Sequence, residues 1–558
     1  MLVAILSTSC TAGVTYWIPP SSPDRLIFTQ PVPERSQDPF LGVDTFTALG
    51  LSGPIQPFSK EEVSEEDASS AEIAASPKVA PASSDIWVEA GIPTVTPTSR
   101  LVDPPAPTGP ASIPKPDASS SSLILYEAQA ADTLQVIAVR FGVDPAEVQS
   151  AQPIPETAYL TPGQLLIIPR RLANTTSPQH LIPDTDVVFS PSAADFDPTA
   201  FAGQAGGKLG IQQEWLKSTG AISAPEVVLR VAIENSINPR LLLSLLEYQS
   251  RWVYEQKLSQ DQIDYPMGLK DPGKKGLYNQ LRWAVDQLSI GYYAYREGRL
   301  TEIRFQDGST ARLAPELNAG TVSLQYFFSQ LYTGQIWSDA LDPQTGFPAL
   351  HARMFGDPWQ RANQVEPLFP AGLEQPPMTL PFEKNRAWNF TGGPHGAWDS
   401  DGAYAALDFA PSGNGPGCLK SSAWTVAAAS GLVVRSGNGI VVLDLDGDGR
   451  EETGWVLTYL HIASEHSIPV GSWVDAGDRL GHPSCEGGFS TGTHIHLARK
   501  FNGEWIPADS PLPFNLGGWI AHAGEAAYKG TLTRDNEILT ACTCSNFQTF
   551  IVRTSEDP

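Results

Sequence analysis

The spacing of apolar and polar positions changes along the chain and predicts three structured regions. Over residues 123–170, two short alternating runs enclose a segment with apolar positions at helical spacing, which predicts a βααβ unit. Residues 205–370 repeat apolar positions every three or four residues, as consecutive helices do. Residues 378–530 change to short alternating runs separated by glycine turns. The predicted fold class is multidomain: a small βααβ module, a mostly α domain and an antiparallel all-β domain.

The segments that flank these regions lack such a period. Residues 11–122 include the acidic run Glu61–Asp67, the proline-rich Pro104–Pro110 and the serine run Ser119–Ser122. Little in them could bury a core, so a disordered tether is expected. Residues 531–558 are polar with some β pattern and are expected to form a C-terminal tail.

The first ten residues predict export. Met1–Leu6 is apolar and Ser7–Cys10 follows, so the segment is similar to the end of a lipoprotein-type signal, with Cys10 as the lipidated residue. The alternative is an ordinary cysteine in a disordered leader. Export would place the working domains outside the cytoplasm, in the cell envelope or secreted, and lipidation of Cys10 would anchor them.

Composition excludes some partners and indicates a redox compartment. At 558 residues the chain is too long for one core. The net charge of −25 argues against nucleic acid and anionic membrane faces, because both would repel such a surface. Four of the five cysteines lie in the C-terminal region, an even number that fits two disulfides outside the cytoplasm, with free thiols as the alternative.

The βααβ unit carries three short motifs in order: Ala131–Leu134 (ADTL), Phe141–Val143 (FGV) and Pro162–Leu165 (PGQL). With these motifs the unit resembles a LysM module. The resemblance implies binding of N-acetylglucosamine polymers in peptidoglycan or chitin. The alternative is a small helical spacer.

The helical region resembles a lysozyme-like domain of the lytic-transglycosylase type. That resemblance places a catalytic glutamate directly before Ser250, where this chain has Gln249. A carboxamide cannot protonate a leaving glycosidic oxygen. A degenerate domain that binds glycan or acts as a spacer is therefore expected.

Three histidines and an aspartate stand out in the all-β region. His494 and His496 are two apart on a predicted strand, so both side chains point to one face. Asp408 lies near the end of a buried strand, and His461 closes another. Neutral imidazole and carboxylate are the ligands that catalytic zinc takes in proteins.

These residues lie in motifs that resemble the lysostaphin-type zinc endopeptidases. The motifs are Leu407–Pro411 (LDFAP), Tyr459–His461 (YLH), the hairpin Val470–Gly481 and Ser490–Leu497 (STGTHIHL). The resemblance implies zinc ligation by Asp408 and His496. It also implies that His461 and His494 act on the water and the tetrahedral intermediate, with peptidoglycan peptides as substrate.

One ligand of that resemblance is displaced. Its first histidine, four residues before Asp408, corresponds here to Tyr404, and a neutral phenol is a poor zinc ligand. His395, on the glycine-flanked segment Gly392–Gly396, precedes Asp408 and is hypothesised to supply the third ligand. The alternative is a surface histidine and a weakened or absent metal site.

Two further features surround this site. Asp444, Asp446 and Asp448 alternate around a glycine bend and resemble the first half of a calcium loop, with a plain polar hairpin turn as the alternative. Cys418 and Cys485 fall in loops on either side of the metal-site strands, where a disulfide could fix the loop that leads to His494.

The predicted function is an exported, zinc-dependent endopeptidase of peptidoglycan, with calcium as a candidate second ion. The LysM-like module would bind the glycan, and the β domain would cut the peptides. Such tethering raises the local substrate concentration. The alternative is a catalytically inactive peptidase-like protein that binds peptidoglycan or activates a wall amidase.

Overall fold

The computed structural model describes residues 122–398, 402–413, 415, 417–543 and 547–557, together with the backbone of strand β1 (Thr15–Tyr16). The predicted signal, Cys10 and nearly all of the predicted tether lie outside the described residues. Within the described part of the chain, no helix has the length and apolarity needed to cross a bilayer.

The small N-terminal module contains β2 (Leu123–Glu127), α1 (Leu134–Phe141) and β3 (Leu165–Pro169), and β2 pairs antiparallel with β3. The second α-helix that the pattern predicts is a single 3₁₀ turn, Pro145–Glu147. After Glu147 the backbone is extended at Val148, so the turn does not continue into a helix. The predicted βααβ order is thus correct for the strands and the first helix only.

The helical domain follows, and α6 is its longest helix. Its helices are α2 (Pro198–Ala205), α3 (Ala224–Asn235), α4 (Pro239–Ser250), α5 (Gln260–Asp264), α6 (Leu277–Arg296), α7 (Ala319–Ser329), α8 (Gly334–Ala340), α9 (Phe347–Phe355) and α10 (Pro358–Ala362). Two short hairpins join them: β4 (Gln213–Leu216) with β5 (Gly220–Ser223), and β6 (Glu302–Arg304) with β7 (Thr310–Arg312).

The core of the helical domain begins before residue 205, where the pattern placed the boundary. Leu181, Ile182, Val187 and Val188 are buried in the same cluster as the helices. They lie in irregular segments on either side of the 3₁₀ turn Asp184–Asp186, which have no period for a pattern to detect. The domain therefore starts near residue 180.

The β domain is built on one large antiparallel sheet in the order β1, β11, β12, β13, β16, β9, β8, β22. Its strands are β8 (Ala387–His395), β9 (Ala406–Pro411), β11 (Gly431–Gly437), β12 (Ile440–Asp444), β13 (Trp455–Leu460), β16 (Ile495–Phe501) and β22 (Phe550–Val552). The strands β14 (Trp473–Val474) and β17 (Glu504–Trp505) add to it. Smaller sheets are formed by β10 (Thr425–Val426) with β15 (Arg479–Gly481), and by β18 (Asn515–Leu516), β19 (Trp519–Ala523), β20 (Gly530–Arg534) and β21 (Glu537–Thr540).

The predicted separate tail after residue 530 is wrong. β20 and β21 continue the second sheet, and β22 pairs with β8 at the edge of the large sheet. Leu532 and Ile551 are buried in the core of the β domain. The alternating pattern of this segment therefore reports strands that belong to the domain.

The helical and β domains share one core. Ala406, Ala498, Trp505 and Ile506 of the β domain are buried in the same cluster as the helices. This continuity follows from the hairpin between β16 and β17, which reaches into the helical domain.

The hairpin is held at its tip by close backbone packing. A Cβ atom at Gly503 would lie 1.8 Å from the carbonyl oxygen of Phe189, so only glycine fits. Ser236 Oγ donates to Gly503 O over 2.7 Å, and Trp505 N donates to the hydroxyl of Tyr293 over 3.1 Å.

Candidate metal centre

The strand register of the large sheet brings the predicted site residues together. β8, β9 and β16 are neighbours, and Gly392, Asp408 and His496 occupy matching positions across them. His496 is in turn paired with Leu460 on β13, so His461 follows at the end of that strand. Residues distant in the sequence thus meet on one face of the sheet.

Three side chains meet most closely. His395 Nε2 lies 3.0 Å from His496 Nδ1 and 3.2 Å from Asp408 Oδ1, and His496 Nδ1 lies 3.3 Å from the same oxygen. All three residues are buried. One ligand atom from each falls within 4.8 Å of the others, which is the spacing of a metal-binding group.

Backbone carbonyls fix the proton position on both imidazoles. His395 Nδ1 lies 2.8 Å from Gly393 O, and His496 Nε2 lies 2.9 Å from Ala397 O. A carbonyl can only accept, so each of these nitrogens carries the hydrogen and the opposite nitrogen of a neutral ring is bare. Both bare nitrogens face Asp408 Oδ1, which is buried and has no hydrogen-bond donor.

The directions of the pKa shifts agree with a buried cluster that lacks a positive charge beside Asp408. Burial would raise the pKa of Asp408, but His395 and His494 beside it hold that pKa well below its usual range. Burial lowers the pKa of His395, and the charge of Asp408 more than offsets this and raises it. The three candidate ligands, two imidazoles and a carboxylate, fit zinc, which takes ligands of both kinds.

His461 and His494 line the same space. Their Nδ1 atoms lie 2.8 Å from Glu486 O and 2.7 Å from Gly492 O, so their Nε2 atoms are the unprotonated ones. Their ring centres are 4.5 Å apart, and His494 Nε2 is 3.8 Å from Asp408 Oδ2. Burial, followed by the charges of His494 and His496, lowers the pKa of His461 to about 3. His461 is therefore a neutral imidazole with a free acceptor.

The structure places His395 on a strand and Tyr404 outside the strands. His395 is the last residue of β8 and pairs with Ala406, whereas the pattern placed it on a loop. Tyr404 precedes β9, and the guanidinium of Arg299 lies 5.2 Å from its ring centre. Tyr404 therefore lies outside the strand that carries Asp408.

Tyr528 is a site residue for which the sequence gives no direct signal. Its ring stacks on His395 with 4.0 Å between ring centres and 22° between planes. The loop that carries it is joined to β8, since Gly393 N donates to Tyr528 O and Tyr528 N donates to Pro394 O. The contact spans more than 130 residues of sequence and depends on how the second sheet folds over β8.

Gly392 shows why glycine precedes His395. A Cβ atom at this position would lie 2.6 Å from Asp408 Oδ2 on the paired strand. The glycine therefore leaves room for the carboxylate, a requirement that the Gly392-Gly393 pair signals in the sequence.

The loop that leads to His494 is covalently fixed. Cys418 and Cys485 form a disulfide with 5.6 Å between their Cα atoms. Thr493 N donates to Gly417 O, and Thr493 Oγ1 donates to Leu419 O over 2.5 Å. The two loops are thus joined both by the disulfide and by hydrogen bonds beside the catalytic candidates.

The aspartate loop lies between β12 and β13. Asp444, Asp446 and Asp448 each offer an oxygen within 4.8 Å of the others. Burial raises the pKa of Asp444 to about 9 and that of Asp448 to about 6, and in each case the charge of Asp446 adds to the rise. Asp444 also accepts backbone hydrogen bonds from residues 446, 447 and 449, so the loop is closed without an ion.

Gln249 stands where the resemblance to lytic transglycosylases implies a glycosidase acid, and its side-chain amide contacts a tyrosine. Gln249 Oε1 accepts from the hydroxyl of Tyr332 over 2.5 Å. Glu247 faces elsewhere and accepts from the backbone of Val253 and Tyr254 over 3.1 Å each. The expected lack of glycosidase chemistry in this domain stays a prediction.

Two family models match separate segments of the chain. The LysM domain model matches residues 126–169, which confirms that resemblance. The model described as LasA, N-terminal domain, matches residues 180–368, the span of the helical domain. The likeness of this domain to lytic transglycosylases stays a prediction.

Curated relatives match half of the chain. Protease LasA of Pseudomonas aeruginosa strain PAO1 is 27% identical over 307 residues, 50% of this chain and 68% of that protein. Protease LasA of strain UCBPP-PA14 is 26% identical over 305 residues, with the same shares. Among solved structures, the M23 metalloprotease pseudoalterin from the deep sea is 22% identical with a TM-score of 0.26, covering 31% of this chain and 96% of that chain. The family models and the curated relatives thus show that this chain contains a segment matching the LysM domain and is similar over half of its length to Protease LasA.

Proposed function

We propose that the chain is an exported, zinc-dependent endopeptidase that cuts the peptides of peptidoglycan while its LysM module holds the glycan. One observation carries the proposal: His395 Nε2, His496 Nδ1 and Asp408 Oδ1 converge as three acceptors without a donor among them. Buried acceptors in such an arrangement are costly unless a cation joins them. The similarity to Protease LasA supports peptide cleavage as the reaction.

The residues of the chain divide the work. His395, His496 and Asp408 would hold the metal, and the carbonyls of Gly393 and Ala397 orient the two imidazoles. Zinc bound there would supply a Lewis acid that lowers the pKa of a water and polarises a peptide carbonyl. His461 and His494 present bare Nε2 atoms to the same space, where they would accept a proton or a hydrogen bond from a water molecule.

The metal site is tested by zinc content and affinity. His395→Ala should weaken zinc binding by more than about 100-fold, beyond the 10- to 100-fold loss typical of a missing outer partner. His180→Ala is the matched control, because His180 is an exposed histidine of the helical domain whose Nε2 contacts Glu316 O. Equal zinc binding by wild type and His395→Ala would refute the assignment.

The reaction is tested on purified peptidoglycan. A zinc-loaded chain should release fragments with new amino groups and no new reducing ends, and a chelator should stop the release. The alternative function, a catalytically inactive protein that binds peptidoglycan or activates a wall amidase, predicts binding without new amino groups. Mass spectrometry of the fragments would identify the bond that is cut.

Export, lipidation of Cys10 and a calcium ion at the aspartate loop stay predictions. Intact mass of the membrane-associated protein tests the lipid. For calcium, the raised pKa values of Asp444 and Asp448 show that bringing these carboxylates together is unfavourable in the absence of a cation. A melting temperature that does not change on calcium addition would count against the ion.

A further inference from the structure

A cavity of about 590 Å³ opens on the helical domain beside the β4–β5 hairpin. Its walls belong to the hairpin and to the start of α6, and none of its lining residues belongs to the β domain. The side chains that define its chemistry are those of Glu214, Trp215, Lys217, Ser218, Tyr278 and Asn279. The cavity is thus separate from the metal centre and is not used by the proposed peptide cleavage.

Trp215 dominates this cavity. Its side chain is 76% exposed, whereas the next residue of the strand, Leu216, is buried. Tryptophan is seldom left in water without a partner, because its ring carries a large apolar area. An outward-facing tryptophan beside a cavity therefore indicates a surface that binds a flat apolar face.

The ring lies beside the turn of the β4–β5 hairpin. A Cβ atom at Gly220, whose φ is +79°, would lie 3.7 Å from Cη2 and 3.8 Å from Cζ3 of Trp215. The far edge of the indole is therefore next to the turn, while most of the ring stays open to solvent.

Polar groups are fixed around the ring. Both carboxylate oxygens of Glu214 accept from Tyr278 N, over 3.2 and 3.0 Å, at the first turn of α6. The guanidinium carbons of Arg230 and Arg282 lie 6.0 and 5.9 Å from the ring centre of Tyr278. Asn279 Nδ2 donates to Lys275 O over 2.9 Å. The cavity therefore joins an exposed aromatic face to a rim of oriented hydrogen-bonding groups.

We propose that this cavity is a second glycan-binding site, which takes an N-acetylated hexosamine of the wall glycan strand. A pyranose ring has an apolar face of C–H groups, which matches Trp215, and a rim of hydroxyl and amide groups, which matches the polar lining. Polynucleotides also stack on aromatic rings, but the net charge of −25 repels them. The proposal rests on the proposed wall substrate for its ligand class.

A second site changes how the chain holds the wall. The LysM module and the helical domain would each bind the same strand weakly, and their linkage makes the second contact intramolecular. The peptide-cutting domain, which shares a core with the helical domain, would then be held at a fixed place beside the glycan.

The test uses the full chain and soluble N-acetylglucosamine oligosaccharides. The module over residues 123–170 contains no tryptophan, so a change in tryptophan fluorescence does not arise from a ring within it. Wild type should show a saturable change, and Trp215→Ala should lose it. Binding to peptide-free glycan strands should weaken roughly fivefold to tenfold in Trp215→Ala, and Trp215→Phe should recover part of it.

Trp473→Ala is the matched control, because Trp473 is 57% exposed and lies in the β domain. It should retain the fluorescence change and the affinity. Wild-type affinity and fluorescence response in Trp215→Ala would overturn the glycan site. Zinc content and cleavage of a short soluble peptide should be unaffected by Trp215→Ala, so failure of the glycan site and failure of the endopeptidase function give different results.

Discussion

Two buried clusters of charged and ionisable side chains share one hairpin and differ in the source of the positive charge that balances their carboxylates. At the domain interface, Arg296 Nε lies 3.0 Å from Glu504 Oε1 and Arg296 Nη2 lies 2.8 Å from Asp184 Oδ2. In the metal centre, Asp408 is surrounded by imidazoles whose bare nitrogens face it. β16 carries His496, and the hairpin that follows it carries Glu504, so one hairpin contributes to both clusters.

The difference is the origin of the positive charge. The interface cluster has its own guanidinium, and Tyr292 adds a hydrogen bond to Glu504 over 2.9 Å. The metal centre has acceptors only, since His395 Nε2 and His496 Nδ1 meet Asp408 Oδ1 without a donor among them. A buried carboxylate needs a cation in either case. The cluster with a built-in arginine is structural, and the cluster without one is suited to an exchangeable ion.

The largest expected effect comes from removing the arginine. Arg296→Met leaves Glu504 and Asp184 buried without their cation and should lower the free energy of unfolding by about 3–5 kcal/mol. Urea unfolding of the whole chain measures it. Arg304→Met, at an exposed position of β6, is the control with the same change of charge. A loss below about 1 kcal/mol, the size typical of a surface pair, would remove the distinction between the clusters.

The second effect concerns the missing cation of the metal centre. Zinc at 100 times its Kd should raise the free energy of unfolding by about 2.7 kcal/mol, provided that the unfolded chain does not bind it. His395→Ala should show no such gain, whereas Arg296→Met should keep it. The same gain in His395→Ala would place the ion elsewhere.

A smaller effect depends on pH. Although the residue is exposed, partial desolvation of its carboxyl group, aided by the charge of Asp184, raises the pKa of Glu366 to about 7. The folded chain therefore keeps this proton above the ordinary value of 4.5, and stability falls as pH rises between about 4.5 and 7. Part of the side chain reaches solvent, so screening limits the effect. Glu366→Gln should raise the free energy of unfolding at pH 8 by roughly 0.5–1 kcal/mol and leave pH 4 unchanged. An unaltered pH profile would contradict this.

The smallest effect is expected at Tyr404. Because its ring lies against Arg299, Tyr404→Phe should change the zinc-binding free energy by less than about 0.5 kcal/mol. Competition with a chromogenic chelator measures it. A large loss of zinc affinity would instead identify Tyr404 as a ligand.

Much of the β domain could be predicted because alternating strands and short motifs carry local signals. Asp408, His461, His494 and His496 lie within motifs, and the order of His395 before Asp408 was enough to nominate it. The LysM resemblance is confirmed by the family model that matches residues 126–169. The place of Tyr528 could not be predicted, since its contact with His395 depends on the packing of two sheets.

The interface escaped prediction for a related reason. Leu181 to Val188 has no helical or strand period, yet it is buried in the helical core. Arg296 and Glu504 are charged residues that a pattern assigns to the surface, and each is buried only because the other is present. Patterns detect elements that bury apolar faces and do not detect buried partners that are far apart in sequence.

The tip of the β16–β17 hairpin has a consequence for modular exchange. With Gly503 against Phe189 and Trp505 inside the shared core, the β domain has no clean boundary on that side. An excised β domain would carry an exposed tryptophan and an unpaired glutamate. Transfer of the β domain into a different protein therefore requires that the helical domain be transplanted with it.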